Sequence, residues 1–244
     1  MLSIIIPTLN EEDLLPKLLK SIRRQEVNDY EIIVADAGST DRTREIAQKF
    51  GAKVVKGGLP AAGRNQGVKA SKGDLLLFLD ADVILPEKFL EKAIREFEKR
   101  NLDVASVQLD PQTSRKMIKF LFNRFYNYPV KKLERFLPYG AMGYLIKKEL
   151  HQKIKGFDEK IKLCEDHDYV RRAAKFGKFG VLRGVKISIS LRRFYKDGWL
   201  KVILKYTSAE LHYHFLGPIK SDIFNYKFAH YKGKDHKSID KIIQ

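Results

Sequence analysis

The chain has 244 residues, 44% hydrophobic and 32% charged; that balance excludes a disordered polymer and allows one sizeable α/β domain or two small ones. The formal net charge is +17, carried unevenly: residues 1–110 hold 17 Lys and Arg against 18 Asp and Glu, residues 111–244 hold 30 against 12. One cysteine, Cys164, excludes an intrachain disulfide, and no apolar run approaches the roughly 18 residues of a membrane span.

No basic leader precedes Ser3-Ile4-Ile5-Ile6-Pro7, so a cytoplasmic protein is expected. Residues 2–6 form an apolar, β-branched run closed by Pro7, the pattern of a parallel strand buried on both faces. After a loop at 8–12, Leu14, Leu15, Leu18, Leu19 and Ile22 recur at helical spacing. A second strand over 31–35 ends in Asp36. A turn at 37–40 leads to a helix from Asp41 to Phe50, with an acid at its positive end. A short strand at 53–55 is broken by Gly57-Gly58-Leu59-Pro60, and a helix over 61–70 carries Arg64 and Asn65. Five apolar residues, 75–79, then run into Asp80-Ala81-Asp82, and a helix over 87–100 follows.

Strand and helix alternate to about residue 109, which predicts a parallel sheet with right-handed crossovers. Strand ends at Pro7, Asp36 and Asp80 then fall on one edge, where ligands bind in open α/β sheets. Glu11, Asp36, Arg64, Asp80 and Asp82 converge there. Asp80 and Asp82 are alternate residues of an extended segment and can face one site. Two carboxylates suit a hard divalent cation bound with a diphosphate; the same pattern also fits a polar turn between strand and helix. Neither G-x-G-x-x-G nor G-x-x-x-x-G-K-[ST] is present, which argues against a dinucleotide enzyme or a P-loop ATPase.

The second half reads differently. Residues 111–137 hold seven Lys and Arg against one Glu, mixed with large apolar groups. Such a basic amphipathic helix lies at a lipid interface or packs its apolar side on the sheet with its bases solvated. Tyr139-Gly140-Ala141-Met142-Gly143 reads as a loop with room for a sugar beside the backbone, running into a strand. Glu165, Asp166 and Asp168 open a helix to Phe176. They are either first-turn acids on the helix dipole or include a general base. A strand begins after Gly184. Arg192 and Arg193, ahead of Gly198, can clamp a diphosphate or belong to a solvated loop. A helix spans 199–216, with His212 and His214 near its end, each a structural histidine or an extra metal ligand. Phe215, Phe224, Tyr226, Phe228 and Tyr231 among lysines suit a membrane-surface or dimer contact.

Ile4-Ile5-Ile6-Pro7-Thr8-Leu9-Asn10-Glu11-Glu12, Val34-Ala35-Asp36-Ala37-Gly38-Ser39-Thr40-Asp41, Arg64-Asn65-Gln66-Gly67, Asp80-Ala81-Asp82, Gly156-Phe157-Asp158-Glu159 and Glu165-Asp166 with Asp168 and Arg171 resemble, in order, the motifs of family 2 glycosyltransferases. The resemblance implies the GT-A fold: α/β, with a Rossmann-like, mostly parallel central sheet flanked by helices, here followed by a basic, mainly helical C-terminal extension. Residues 1–110 would form the nucleotide-sugar-binding subdomain, 111–190 the acceptor-side part of the same domain, and 191–244 the extension. Pro7, Thr8, Asn10, Glu11 and Asp36 would hold base and ribose. Arg64 would support base and diphosphate, with Arg192 and Arg193 on the donor. Asp82, with Asp80, would bind Mg²⁺ or Mn²⁺, and Asp166 would be the general base. Leu9 stands where the family often has an aromatic residue, and Ala37 where a second Asp is frequent, so no particular base is specified.

The implied reaction is metal-dependent, inverting transfer from a UDP- or GDP-linked sugar to an acceptor hydroxyl or phosphate. The acceptor would be a sugar or a polyprenyl-phosphate type, met at an anionic membrane surface on the inner face of the plasma membrane. A nucleotidyltransferase is the alternative, but it would want a glycine-rich, basic loop after the first strand. A nucleic-acid-binding module would also explain +17, yet RNA-binding signatures are absent and no nucleic-acid partner is expected.

Overall fold

The computed structural model describes residues 1–221, 223 and 224. Tyr226, Phe228 and Tyr231, read above as a surface contact, lie outside them. The chain runs β1 (Leu2–Thr8), α1 (Leu15–Arg23), β2 (Tyr30–Asp36), α2 (Thr43–Lys49), β3 (Lys53–Lys56), α3 (Pro60–Ala70), β4 (Leu75–Leu79), β5 (Val83–Ile84), α4 (Phe89–Lys99) and β6 (Val104–Pro111). It continues through α5 (Lys116–Phe122), a π-helical segment (Asn123–Asn127), α6 (Tyr128–Lys132), β7 (Gly143–Lys147), α7 (Lys148–Lys153), α8 (Glu165–Ala174), β8 (Phe179–Ile189), α9 (Arg192–Asp197) and α10 (Trp199–Leu216).

Eight strands form one sheet in the order β3-β2-β1-β4-β7-β6-β8-β5. The β3-β2-β1-β4 block is parallel, as the alternation predicts. Alternate residues of its strands enter two cores. Ile4, Ile6, Leu77 and Leu79 pack under α1 and α4. Ile5, Ile33, Leu76 and Phe78 pack with α3 and α8. Burial on both faces explains why these strands read as unbroken apolar runs. Pairing of β1 with β4 ends at Ile5, two residues before Pro7, whose ring has no N–H to donate.

Two departures from the alternation matter for the site. The strand beside β4 is not β6 but β7, which enters antiparallel from the second half of the chain. The last strand also starts earlier than Gly184: β8 begins at Phe179 and carries an irregularity between its pairings with Ser106 and Gln108. At the far end, β5 pairs antiparallel with the end of β8, Val83 opposite Ile189. The four Cα–Cα steps from Leu79 to Val83 span at most about 14 Å. Four flat inter-strand spacings would need about 19 Å. The sheet must therefore curl, which carries the end of β8 back to Asp82, whose carbonyl accepts the Ser190 N–H at 3.3 Å.

Helix α3 lies close on β1 because two glycines, one turn apart, face it. A Cβ on Gly63 would meet Pro7 Cβ at 3.3 Å, and one on Gly67 would meet Ile5 Cγ2 at 2.4 Å. Ile5 is a buried, β-branched strand residue and cannot yield cheaply. Gly67→Ala should therefore destabilise the fold by about 1–3 kcal/mol, read as a lower urea midpoint at unchanged slope.

Candidate active site

The loops after β1 and β2 are knitted by side-chain caps. Asp36 Oδ1 accepts the N–H groups of Gly38 at 3.1 Å and Ser39 at 2.9 Å; its Oδ2 accepts the Thr8 hydroxyl at 3.3 Å and that of Ser39. Both carboxylate oxygens are thus spent on the turn. Asn10, left-handed at φ 55°, accepts the Thr40 N–H through Oδ1 at 2.9 Å, and the Glu11 N–H donates to Thr43 Oγ1 at 2.8 Å. Pro7, Thr8 and Asp36 are buried at the carboxyl ends of β1 and β2.

Asp80 and Asp82 follow β4 as expected, and each faces an arginine from elsewhere in the chain. Arg64, buried on α3, donates Nη2 to Asp80 Oδ1 at 2.8 Å and Nη1 to Glu165 Oε1 at 2.7 Å. Its guanidinium sits 5.6 Å from the ring centre of Phe157 and 6.0 Å from that of Tyr144. Arg192, the first residue of α9, donates Nη2 to Glu11 Oε1 at 2.8 Å and Nη1 to Glu11 Oε2 at 3.0 Å. Its Nη2 also lies 3.3 Å from Asp82 Oδ2. Arg192 therefore stands in a helix and on acids, not in a solvated loop. Arg193 turns to α10, where it donates to the Tyr206 hydroxyl. Burial pushes the carboxyls of Glu11 and Asp80 up, against the lowering pull of Arg192 and Arg64 respectively.

The Glu-Asp pair of the second half opens α8. Asn65 Oδ1 accepts the Phe157 N–H at 2.9 Å and its amide donates to Glu159 at 2.8 Å, so the Arg64-Asn65 and Phe157-Asp158-Glu159 motifs lock together. Asp166 is held beside them. Burial raises its carboxyl to about 6, against the lowering pull of the neighbouring His167. Asp168 plays another part: it accepts from Arg172 at 2.7 Å and from the Tyr213 hydroxyl at 3.0 Å, tying α8 to α10.

The sequence pattern passes over His167. Its Nε2 is 3.8 Å from Asp166 Oδ1, its Nδ1 bonds Glu210 Oε2 at 2.8 Å, and its ring packs on Tyr139 with centroids 4.1 Å apart. Glu210 also pairs with Arg171. Adjacency to Asp166 is the one signal that could have found His167; Glu210, 43 residues on, carries none. At Gly140, the space read as room for a sugar is taken by packing: a Cβ there would meet Val170 Cγ2 at 2.5 Å.

A curled, mostly parallel sheet with carboxylates at its carboxyl edge and an acid-bearing helix opposite defines the GT-A class of glycosyltransferase. The chain belongs to Glycosyl transferase family 2, whose description matches residues 3–149. Over 189 residues it is 29% identical to the uncharacterized glycosyltransferase EpsJ of Bacillus subtilis (strain 168), a match covering 69% of this chain and 54% of EpsJ. The chain thus spans about half the length of that relative. By structure it is similar to the mannosyltransferase PcManGT of Pyrobaculum calidifontis in complex with GDP-Man and Mn²⁺. That likeness has a TM-score of 0.71 at 18% identity, covering 98% of this chain and 67% of the other. It is also similar to S. aureus TarS 1–349 in complex with UDP-GlcNAc, with a TM-score of 0.64 at 23% identity, covering 78% and 58%. Both likenesses show the fold.

Arg64 pairs with both Asp80 and Glu165. Arg64→Met should cost about 3 kcal/mol of unfolding free energy by urea titration, because it leaves two partly buried acids without their counter-ion. Since the Asp80 carboxyl is already raised by burial, protonating it as pH falls should shrink the loss.

Proposed function

We propose that the protein transfers a sugar from a UDP- or GDP-linked donor to an acceptor hydroxyl or phosphate, with inversion, and that Asp166 is the general base. The observation that carries this reading is the convergence of Asp80, Asp82, Glu11 and Asp166 on one edge of the sheet. Of these, Asp166 is raised to about 6 by burial, with His167 beside it. The family and the two nucleotide-sugar complexes of similar fold support it.

The residues present fit a divalent cation. Asp80 and Asp82 bring two carboxylates to one strand end, and Mg²⁺ or Mn²⁺ takes one or two carboxylates with phosphate and water. Asp82, supported by Asp80, would hold the ion, which would offset the charge of the departing diphosphate. Arg192 and Arg64 supply positive charge at the same edge. Asp166 takes the proton of the acceptor hydroxyl as its oxygen attacks the anomeric carbon, and the bond to the diphosphate breaks. The acceptor is read as lipid-linked, of polyprenyl-phosphate type, because the bases concentrate in the half that bears Asp166.

Two experiments test this. With Mn²⁺ present, UDP or GDP should raise the melting temperature of the wild type, and Asp82→Ala should abolish the shift; an undiminished shift in that variant removes Asp82 from the metal. Because Asp166 works as the carboxylate, transfer should fall as pH drops below about 6. Asp166→Asn should lower transfer by about 10²–10⁴-fold while nucleotide binding survives. The same substitution should not lower stability at neutral pH, since the native carboxyl is raised and its ionisation opposes folding.

A further inference from the structure

We propose that residues 116–137 form a docking face for a bilayer bearing anionic headgroups. Four large apolar side chains there stand in solvent: Met117 at 67% exposure, Phe120 at 60%, Phe125 at 71% and Phe136 at 80%. Single exposed apolar residues are ordinary on a protein surface, but four within twenty residues form a patch. Part of the apolar side of this helical stretch is therefore not spent on the sheet.

Attachment to the fold uses other residues. Asn127, fully buried, bonds both backbone groups of Leu109: its Oδ1 accepts the N–H at 3.0 Å and its Nδ2 donates to the carbonyl at 2.8 Å. Phe122 and Tyr126 pack on the core. With these turned inward, Phe120, Phe125 and Phe136 are left facing out.

The charge identifies the occupant. Arg115, Lys116, Lys119, Arg124, Lys132 and Arg135 are exposed around the patch. Arg124 lies over Tyr128 at 5.4 Å and Lys132 over the same ring at 5.8 Å. The single acid of the stretch, Glu134, is turned away. It accepts the Val181 N–H at 2.8 Å and pairs with Arg183 at 2.9 Å and Arg100 at 3.3 Å. What faces outward is apolar and basic, the composition that enters an anionic lipid interface. A two-fold contact between copies would set this basic face against itself. Bare electrostatic capture of RNA would leave the exposed phenylalanines without a role.

The face also adjoins the reaction centre. Aromatic rings run from Phe122 to Tyr126 (6.1 Å), to Tyr139 (5.7 Å) and to His167 (4.1 Å), the neighbour of Asp166. A docked bilayer would present a lipid-linked acceptor along this path; that last step rests on the proposed transferase reading, whereas the docking does not.

The test is co-sedimentation of the full chain with phosphatidylglycerol vesicles and with phosphatidylcholine vesicles, at low and high salt. The wild type should pellet with phosphatidylglycerol at low salt and weakly with phosphatidylcholine. Phe120→Ser/Phe125→Ser/Phe136→Ser should lose about tenfold or more in partition while its melting curve is kept. Lys116→Gln/Lys119→Gln/Lys132→Gln should flatten the salt dependence. The proposal is overturned if the wild type stays in the supernatant at low salt or if the triple-serine variant pellets undiminished. It is equally overturned if light scattering shows a dimer that the serine variant dissolves, or if RNA competes the protein off without regard to the phenylalanines. A UDP or GDP melting shift with Mn²⁺, measured on the same samples, separates failure of docking from failure of the transferase reading.

Discussion

A buried guanidinium ties the two halves of the site together. Arg64 spans from Asp80 at the end of β4 to Glu165 at the start of α8, residues 85 positions apart in the chain. Burying it would be costly without both acids and the rings of Phe157 and Tyr144 beneath it. Its position depends on α3 lying close to β1, which depends in turn on Gly63 and Gly67. Close packing of a helix on a strand is thus converted into a fixed distance between Asp80 and Glu165.

The same scheme recurs around the site. Arg192 joins Glu11 and Asp82, Arg172 holds Asp168, and Arg171 holds Glu210. Each of these acids is held in place by an arginine. Asp166 has a histidine beside it instead, and His167 is itself held by Glu210 from α10. Burial raises its proton affinity, against the lowering pulls of His167 and Arg64. The C-terminal helix, through Glu210, is therefore part of the surroundings of Asp166 and more than an appended segment.

Much of this was legible in the residues. β1, β2 and β4 announce themselves because strands buried on both faces leave unbroken apolar runs. Asp80, Asp82, Glu11 and Arg64 were found because strand ends of a parallel block share an edge. β5 was missed because two residues carry no period, and the alternation gave no sign that β7 would enter antiparallel beside β4. The basic stretch at 111–137 was ambiguous for a physical reason. An apolar face has the same periodicity whether it meets a protein core or a lipid surface.

Residue order by itself determined the parallel block, the carboxylate-bearing strand end, the acid pair opening α8 and the concentration of positive charge in the second half. These are properties of spacing and composition along the chain. The tertiary structure decided which acid meets which base. Arg192 reaches Glu11 across 181 residues because the sheet curls and β8 returns to β5 beside Asp82. No local period encodes that closure; it follows from how far four short steps of chain can reach.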